Sequence, residues 1–468
     1  MKKKMTINYI FNLAYQILII ILPLITTPYV SRILGPDGIT TYFILFGCIG
    51  LNLYGQREVA YHQSDKIAIS KTFFEILLLK IGTMAISICV FIFTVQMMNQ
   101  YKLLFYIQLL DLIANMLDIT YFYQGIEEFK VIVIRNVLIK IIGIICIFTF
   151  VKTKVDLSLY VFIYSGTLLL GNLSMWLTIN KHITRVPFKE LKIIKHLKPT
   201  LILFFPQIAI SIYTVLDKLM IGLITNNTTQ IGYYEQAQKI IKLSLTVVTS
   251  LSTVMLPRIA HLYANDDQEK IIDYTKKSLQ YTLAISCPIM FGIMGIATNL
   301  IPWFLGDEFI PSINILFVTS PILGFIGISN IVGFQYLIPT QRQKIYTLST
   351  ILGSVVNLCL NCILIPYLLS FGAAIASVAA ELSVDLFQLV CIRKEINFVD
   401  VIKKSKSYFI ASFVMFIGIY LLSKYLYPSV MMTAILIAIG GIIYLVMLLI
   451  LRDELLFGTV KKILKRRS

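Results

Sequence analysis

Apolar residues fall in long blocks along this chain, separated by short polar connectors that hold most of its charge. A block of about 20 apolar residues, rising 1.5 Å per residue as a helix, crosses a hydrocarbon core of roughly 30 Å. By that measure the pattern predicts fourteen membrane spans, near 7–30, 39–55, 72–95, 103–122, 131–151, 157–179, 200–224, 239–261, 277–300, 313–337, 345–367, 372–392, 408–427 and 430–451. The second is short, since about 17 residues supply only roughly 25 Å of helix. The first follows a basic start, as the apolar part of a signal peptide does. It is long enough to span, however, and no small-x-small cleavage site follows, so it is expected to stay as a span. The expected fold class is all-α, a polytopic membrane protein.

Polar positions inside the spans have a rhythm of their own. Asn8, Asn12, Gln16, Pro23, Thr26 and Thr27 interrupt the first. In the fourth, Gln108, Asp111, Asn115 and Asp118 step by three, four and three, which places them on one helix face. Ser354, Asn357 and Asn361 repeat that rhythm in the eleventh. In the twelfth, Gly372, Ala376 and Ala380 form a ridge of small residues suited to close packing, and Glu381 and Asp385 then share a face. An unpaired charge at the bilayer centre costs roughly 2.5–3.5 kcal/mol, so such groups face a bundle interior or a hydrated cavity. Asp111 and Asp118 are the candidate ion-coupling residues. Glu75 and Arg135 lie near span ends, where snorkelling or an interhelical hydrogen bond explains them equally well.

The halves of the chain echo each other. GITTYF (38–43) corresponds to IGYYEQ (231–236), and FYQGIEEFK (122–130) sits where FQYLIPTQRQK (334–344) sits six spans later. An even number of spans per half gives repeats of the same orientation, related by an axis along the membrane normal. Two six-helix bundles (1–180 and 200–395) are expected, with two appended helices and a basic cytoplasmic tail (396–468). Between the bundles, 181–199 carries Lys181, Arg185, Lys189, Lys192, Lys195 and Lys198 against the lone carboxylate Glu190. With Phe188, Leu191, Ile193, Ile194 and Leu197 at roughly helical spacing, it is expected to be an amphipathic cytoplasmic linker.

Composition sharpens this picture. With 57% hydrophobic and 14% charged residues, the chain lacks the charge a soluble surface needs. A net charge of +17 would suggest nucleic acid in a soluble protein. Here 31 of the 41 Lys and Arg fall on one set of alternate connectors and only Arg32, Lys102, Lys152, Lys154 and Lys424 on the other. The positive-inside rule accounts for that, puts both termini in the cytoplasm and removes nucleic acid as a partner. The seven cysteines lie within or at the ends of apolar blocks. Cys359 and Cys362 form a CxxC with no second pair or nearby histidine, which reads as packing rather than metal binding. The four histidines make no ligand cluster, and no P-loop, nucleophile elbow or HExxH occurs. The expectation is no enzyme, no metal and no cofactor.

Five stretches in this order and topology resemble one family: PLITTPYVSRILGPDGI (23–39), LYGQREVAY (53–61), LDITYFYQGIEEFKVIVIRN (117–136), FFPQIAISIYTVLDKLMIG (204–222) and IGYYEQAQKI (231–240) with VMLPRIA (254–260). The chain resembles the Wzx-type oligosaccharide-lipid flippases, in the superfamily that also holds the multidrug (MATE) exporters and lipid II flippases. The resemblance covers nearly the whole chain. It implies a multi-pass protein of a bacterial plasma membrane that moves undecaprenyl-diphosphate-linked oligosaccharide between leaflets for capsule, O-antigen or exopolysaccharide assembly. Membrane lipid and the lipid-linked oligosaccharide are the implied partners, with a polysaccharide polymerase and glycosyltransferases beside them. The chain departs from the family in its shorter second span, and from lipid II flippases in having no arginine before Arg32.

A lipid-linked diphosphate needs cations along a hydrated path and an apolar side opening for its tail. The candidates for substrate binding are Arg57, Lys239, Arg135 and Lys218. Arg57 and Lys239 lie on equivalent spans of the repeat, Arg57 toward the cytoplasm and Lys239 toward the outside. Lys218 also reads as one half of a local ion pair with its neighbour Asp217. A cation-coupled drug exporter of the same architecture competes, as does a non-transporting scaffold. From another class comes an integral-membrane glycosyltransferase or polymerase, which would want more than the scattered outer carboxylates Asp37, Asp156, Glu235, Asp307 and Glu308.

Overall fold

Long helices follow from the apolar blocks because buried or lipid-facing backbone must satisfy its own hydrogen bonds. The computed structural model describes residues 47–97, 102–152 and 156–453, together with Ile44, and among them the regular structure is helical throughout. Ten helices of the described residues are long and apolar enough to cross a membrane. The protein is a multi-pass membrane protein of all-α class. The expected span at 7–30 lies outside the described residues, as do residues 39–43, 45 and 46 of the span expected at 39–55, so the count of fourteen extends beyond them.

The chain divides into two compact units. The first takes in Met1–Gln207 with the later pieces Thr253–Gln268 and Ile338–Gln343. Its described helices are α1 (Leu51–Tyr61), α2 (Lys66–Met97), α3 (Lys102–Met116), α4 (Thr120–Gly125), α5 (Phe129–Phe150) and α6 (Leu157–Ile179). The chain enters α1 through Gly50 at φ 78, where a side chain would press on the Thr200 carbonyl and the Phe204 amide at 3.2 Å. Glycine is required there for both its conformation and its close approach. Phe73 packs edge-on against Phe122 (5.1 Å) and Trp176 (6.2 Å) at the centre of this unit.

The expected fourth span is interrupted. α3 ends at Met116 and α4 starts at Thr120, with the Asp118 carboxylate accepting the Thr120 amide at 2.9 Å. A break frees backbone carbonyls, which must find other donors. Three side chains supply them. Asn172 donates to Ala114 O (2.7 Å), Trp176 to Leu117 O (2.9 Å) and Lys80 to Asp118 O (2.7 Å).

The linker is not an amphipathic helix. It runs as irregular chain with two 3₁₀ turns, Phe188–Glu190 and Ile193–His196, leaving Phe188 and Ile194 exposed. Pro187, at φ −62 and ψ 132, has no amide to donate, and the β-branched Ile183, Thr184 and Val186 before it disfavour a helix.

The second unit is Ile208–Ser252, Glu269–Leu337 and Lys344–Ser468. α7 (Leu197–Thr225) runs into it, followed by α8 (Thr228–Ala264), α9 (Gln268–Leu305), α10 (Ser312–Thr319), α11 (Ile322–Ser329) and a π-helix (Asn330–Leu337). α12 (Gln343–Ile392) has 50 residues and bends at Leu369 (φ 53, ψ −134), so its length matches the two expected spans there. Gly372 makes the bend possible, since a Cβ would stand 2.6 Å from the Leu364 carbonyl carbon. The small-residue ridge thus packs as its pattern suggested, whereas Cys359 and Cys362 are exposed free thiols, not packed inside.

The final hairpin, α13 (Phe398–Ser423) and α14 (Val430–Ile450), is held to α9 by buried polar contacts. Asn299 donates to Tyr427 O (3.1 Å) and accepts from Thr433 Oγ1 (2.7 Å), which in turn accepts from Trp303 Nε1 (2.7 Å). In lipid there is little hydrophobic drive between helices, so such contacts and close packing fix the hairpin's position.

Candidate functional site

In the first unit several charges are enclosed and partnered. Tyr54, Arg57 and Tyr61 share a face of α1 by their three- and four-residue steps. The Arg57 guanidinium, 3% exposed, lies 5.1 and 5.6 Å from the centres of those two rings. It donates to Ile338 O and Gln343 Oε1, each at 3.3 Å, and to Glu58 at 2.9 Å. Arg135 donates to Asn172 Oδ1 at 2.8 Å. Lys80 is fully buried and holds Asn52 Oδ1 (3.0 Å) as well as Asp118.

Beside these charges the linker is clasped. Glu75 accepts from the Lys192 amide (2.7 Å), His196 Nε2 (2.6 Å) and Lys195 Nζ (2.9 Å). The other ring nitrogen of His196 meets Tyr54 OH at 2.6 Å. Burial pushes the His196 ring below the usual histidine range, against the opposing pull of Glu75.

The second unit is organised around Asp217. Its carboxylate accepts from Tyr234 OH (2.6 Å) and Ser377 Oγ (2.9 Å) on one oxygen and from Asn361 Nδ2 (2.6 Å) on the other. Asn361 also donates to Asn357 Oδ1 at 3.1 Å. One residue further along each helix, Lys218 of α7 pairs with Glu235 of α8 at 2.9 Å, and Lys239 and Lys242 bear on the same carboxylate. Asp217 also bears on Lys242, so three ammonium groups stand against two carboxylates on α7 and α8. Among the described residues no group of three or more His, Cys, Asp or Glu could hold a metal ion.

Residues 120–314 match the family described as "Polysaccharide biosynthesis protein". A putative O-antigen transporter of Shigella dysenteriae is 26% identical over 386 residues, 79% of this chain and 96% of that protein. The chain is thus similar to Wzx-type proteins of the multidrug/oligosaccharidyl-lipid/polysaccharide exporter superfamily. An outward-facing MATE transporter of that superfamily shares its fold with TM-score 0.70 at 14% identity, covering 84% of this chain and 95% of that one. The lipid II flippase MurJ in its inward closed state overlaps with TM-score 0.55 at 18% identity, covering 97% and 99%.

The six residues singled out from sequence are placed as follows. Arg57, Arg135, Asp111 and Asp118 belong to the first unit, and Lys218 and Lys239 to the second. Lys218 and Lys239 are brought together about Glu235. Asp111 is buried on α3, while Asp118 stands beyond the end of that helix, so the break interrupts their shared face. Lys218 does not pair with Asp217, because adjacent helical residues point about 100° apart. Two further groups were not anticipated. Lys80 carried a signal, a lysine inside an apolar block. Asp217 carried one too, in the stepping of Asn357 and Asn361 that complements it.

Proposed function

We propose that this protein moves undecaprenyl-diphosphate-linked oligosaccharide units from the inner to the outer leaflet of a bacterial plasma membrane, by alternating access, for cell-surface polysaccharide assembly. The observation that carries the reading is the alignment over 96% of a putative O-antigen transporter. The cargo's chemistry fits what the chain offers. A diphosphate needs clustered cations, and Lys218, Lys239 and Lys242 supply three against Glu235 and Asp217. Lys239 is exposed on α8, so its ammonium is accessible to an anion. Arg57 and Arg135 serve the same cargo from the first unit, with Arg57 exchanging its contacts to Ile338 and Gln343 for phosphate oxygens. Asp111 and Asp118 are the proposed ion-coupling carboxylates. Both termini are cytoplasmic, and a polysaccharide polymerase and glycosyltransferases supply and consume the cargo. The protein acts as a transporter, not as an enzyme.

The test is complementation of a strain lacking its own flippase, with surface polysaccharide as readout and membrane abundance checked by blot. The parent restores polysaccharide. Lys239→Ala and Arg57→Ala each lose most of it at unchanged abundance, and Arg57→Lys keeps part, because a lysine offers a point charge in place of a bidentate fork. Export by both alanine variants at the parent level would move the diphosphate site elsewhere.

A further inference from the structure

The second unit holds an open cavity of about 580 Å³ that neither Asp217 nor the lysines around Glu235 line. Its walls come from α8, α9, α10, the bend of α12 and α13. Gln230, in the first turn of α8, places it at the end of the unit that carries the turn between α7 and α8, the end that the proposed orientation puts outside.

The bend of α12 makes one wall. Leu369, at φ 53 and ψ −134, lies in a backbone region that a branched side chain rarely adopts, and it lines the cavity together with Ser370 and Phe371. Strain of this kind persists only where the surroundings hold it, and it clusters at ligand clamps. Here Ser370 Oγ donates to Gln230 Oε1 at 2.7 Å and ties the bend to α8.

The lining combines rings with uncharged polar groups. Phe317 of α10 meets Tyr420 of α13 edge-to-face at 6.1 Å, and Phe371 lines the same space. One turn to either side on α13, Phe416 and the Lys424 ammonium fix the Tyr420 ring at 5.6 and 4.7 Å. The Ser370 bond occupies the acceptor of the Gln230 amide and leaves its N–H donors for a ligand. Asn314, exposed on α10, has no side-chain partner among the described residues.

This chemistry selects among occupants. None of the described residues that line the cavity is charged, whereas a diphosphate wants cations. A hydrocarbon tail would strip water from the amides and hydroxyls and give nothing back. A pyranose suits both halves of the lining. Its C–H face is apolar and packs on aromatic rings, while its hydroxyls exchange hydrogen bonds with amide groups. The volume also lies within the roughly 300–1,000 Å³ of small-molecule sites.

We propose that this cavity binds one uncharged sugar residue, held against Phe317, Phe371 and Tyr420 and hydrogen-bonded by the Gln230 and Asn314 amides. That the sugar belongs to the cargo's glycan rests on the flippase reading; the binding itself does not.

The experiment uses the purified full chain in nanodiscs and saturation-transfer NMR. The probes are the methyl glycosides of glucose, galactose, N-acetylglucosamine and rhamnose. Saturable transfer to the ring C–H protons of at least one is expected for the parent. Asn314→Ala should weaken that binding severalfold at unchanged Tm, and Asn314→Trp, which fills the opening, should abolish it. Three results would overturn the proposal: no saturable transfer to any of the four, transfer unchanged in both variants, or displacement of the glycoside by farnesol, which would mark a hydrocarbon pocket. A parent that binds glycoside but restores no polysaccharide would remove the flippase reading and leave the sugar site. A parent that exports but binds no glycoside would remove the site alone.

Discussion

The Lys80 ammonium donates to the Asp118 backbone carbonyl at 2.7 Å and stands 3.9 Å from the Asp118 carboxylate. One residue thus satisfies the carbonyl freed where the expected fourth span breaks and also neutralises the acid that caps the next turn. Lys80→Met should therefore be strongly destabilising, by about 3 kcal/mol, since it leaves a carboxylate and a carbonyl without their donor. Adding Asp118→Asn should recover part of that loss. Thermal unfolding of the single and double variants in nanodiscs measures the coupling. Additive losses would show that the pair does not act as a unit.

Asp217 and Lys218 are neighbours in sequence with opposite surroundings. The Asp217 carboxylate is buried among three donors, while the Lys218–Glu235 pair is about a third exposed at each end. Asp217→Asn turns an acceptor into a donor facing donors and should cost about 2 kcal/mol. Lys218→Gln should stay within about 0.5 kcal/mol of the parent. Comparable losses from both, read as Tm, would contradict the buried network.

The linker clasp should respond to pH through His196. Burial holds its ring below the ordinary histidine value, so the folded state favours the neutral form. Its contribution is full above the unfolded value of about 6.5 and is lost as pH falls from there toward the lower folded value. Tm should accordingly fall on acidification across that window, and His196→Gln should flatten the slope. An equally steep slope in the variant would place the titrating group elsewhere.

Orientation is open to a direct measurement. On a cysteine-free background, single cysteines replace Lys189 in the linker and Asn227 in the turn between α7 and α8. An impermeant thiol reagent applied to whole cells should label Asn227→Cys and spare Lys189→Cys. The reverse pattern would invert the positive-inside assignment.

Much of this protein is legible along the chain. Runs of apolar residues compel helices, since lipid offers the backbone no other partner, and this set the all-α class and the places of most spans. The boundary between the spans expected at 345–367 and 372–392 also falls at the bend of α12, where Gly372 meets the Leu364 backbone. Which charge meets which was decided only by the fold. Arg57 finds its acceptors 281 and 286 residues away, and Asp217 takes hydroxyl and amide donors 17, 144 and 160 residues away while its neighbour turns to Glu235. A helix separates adjacent side chains by about 100° and brings distant ones to a common face. Partners for buried charges therefore follow packing between helices, a property that no stretch of the chain carries alone.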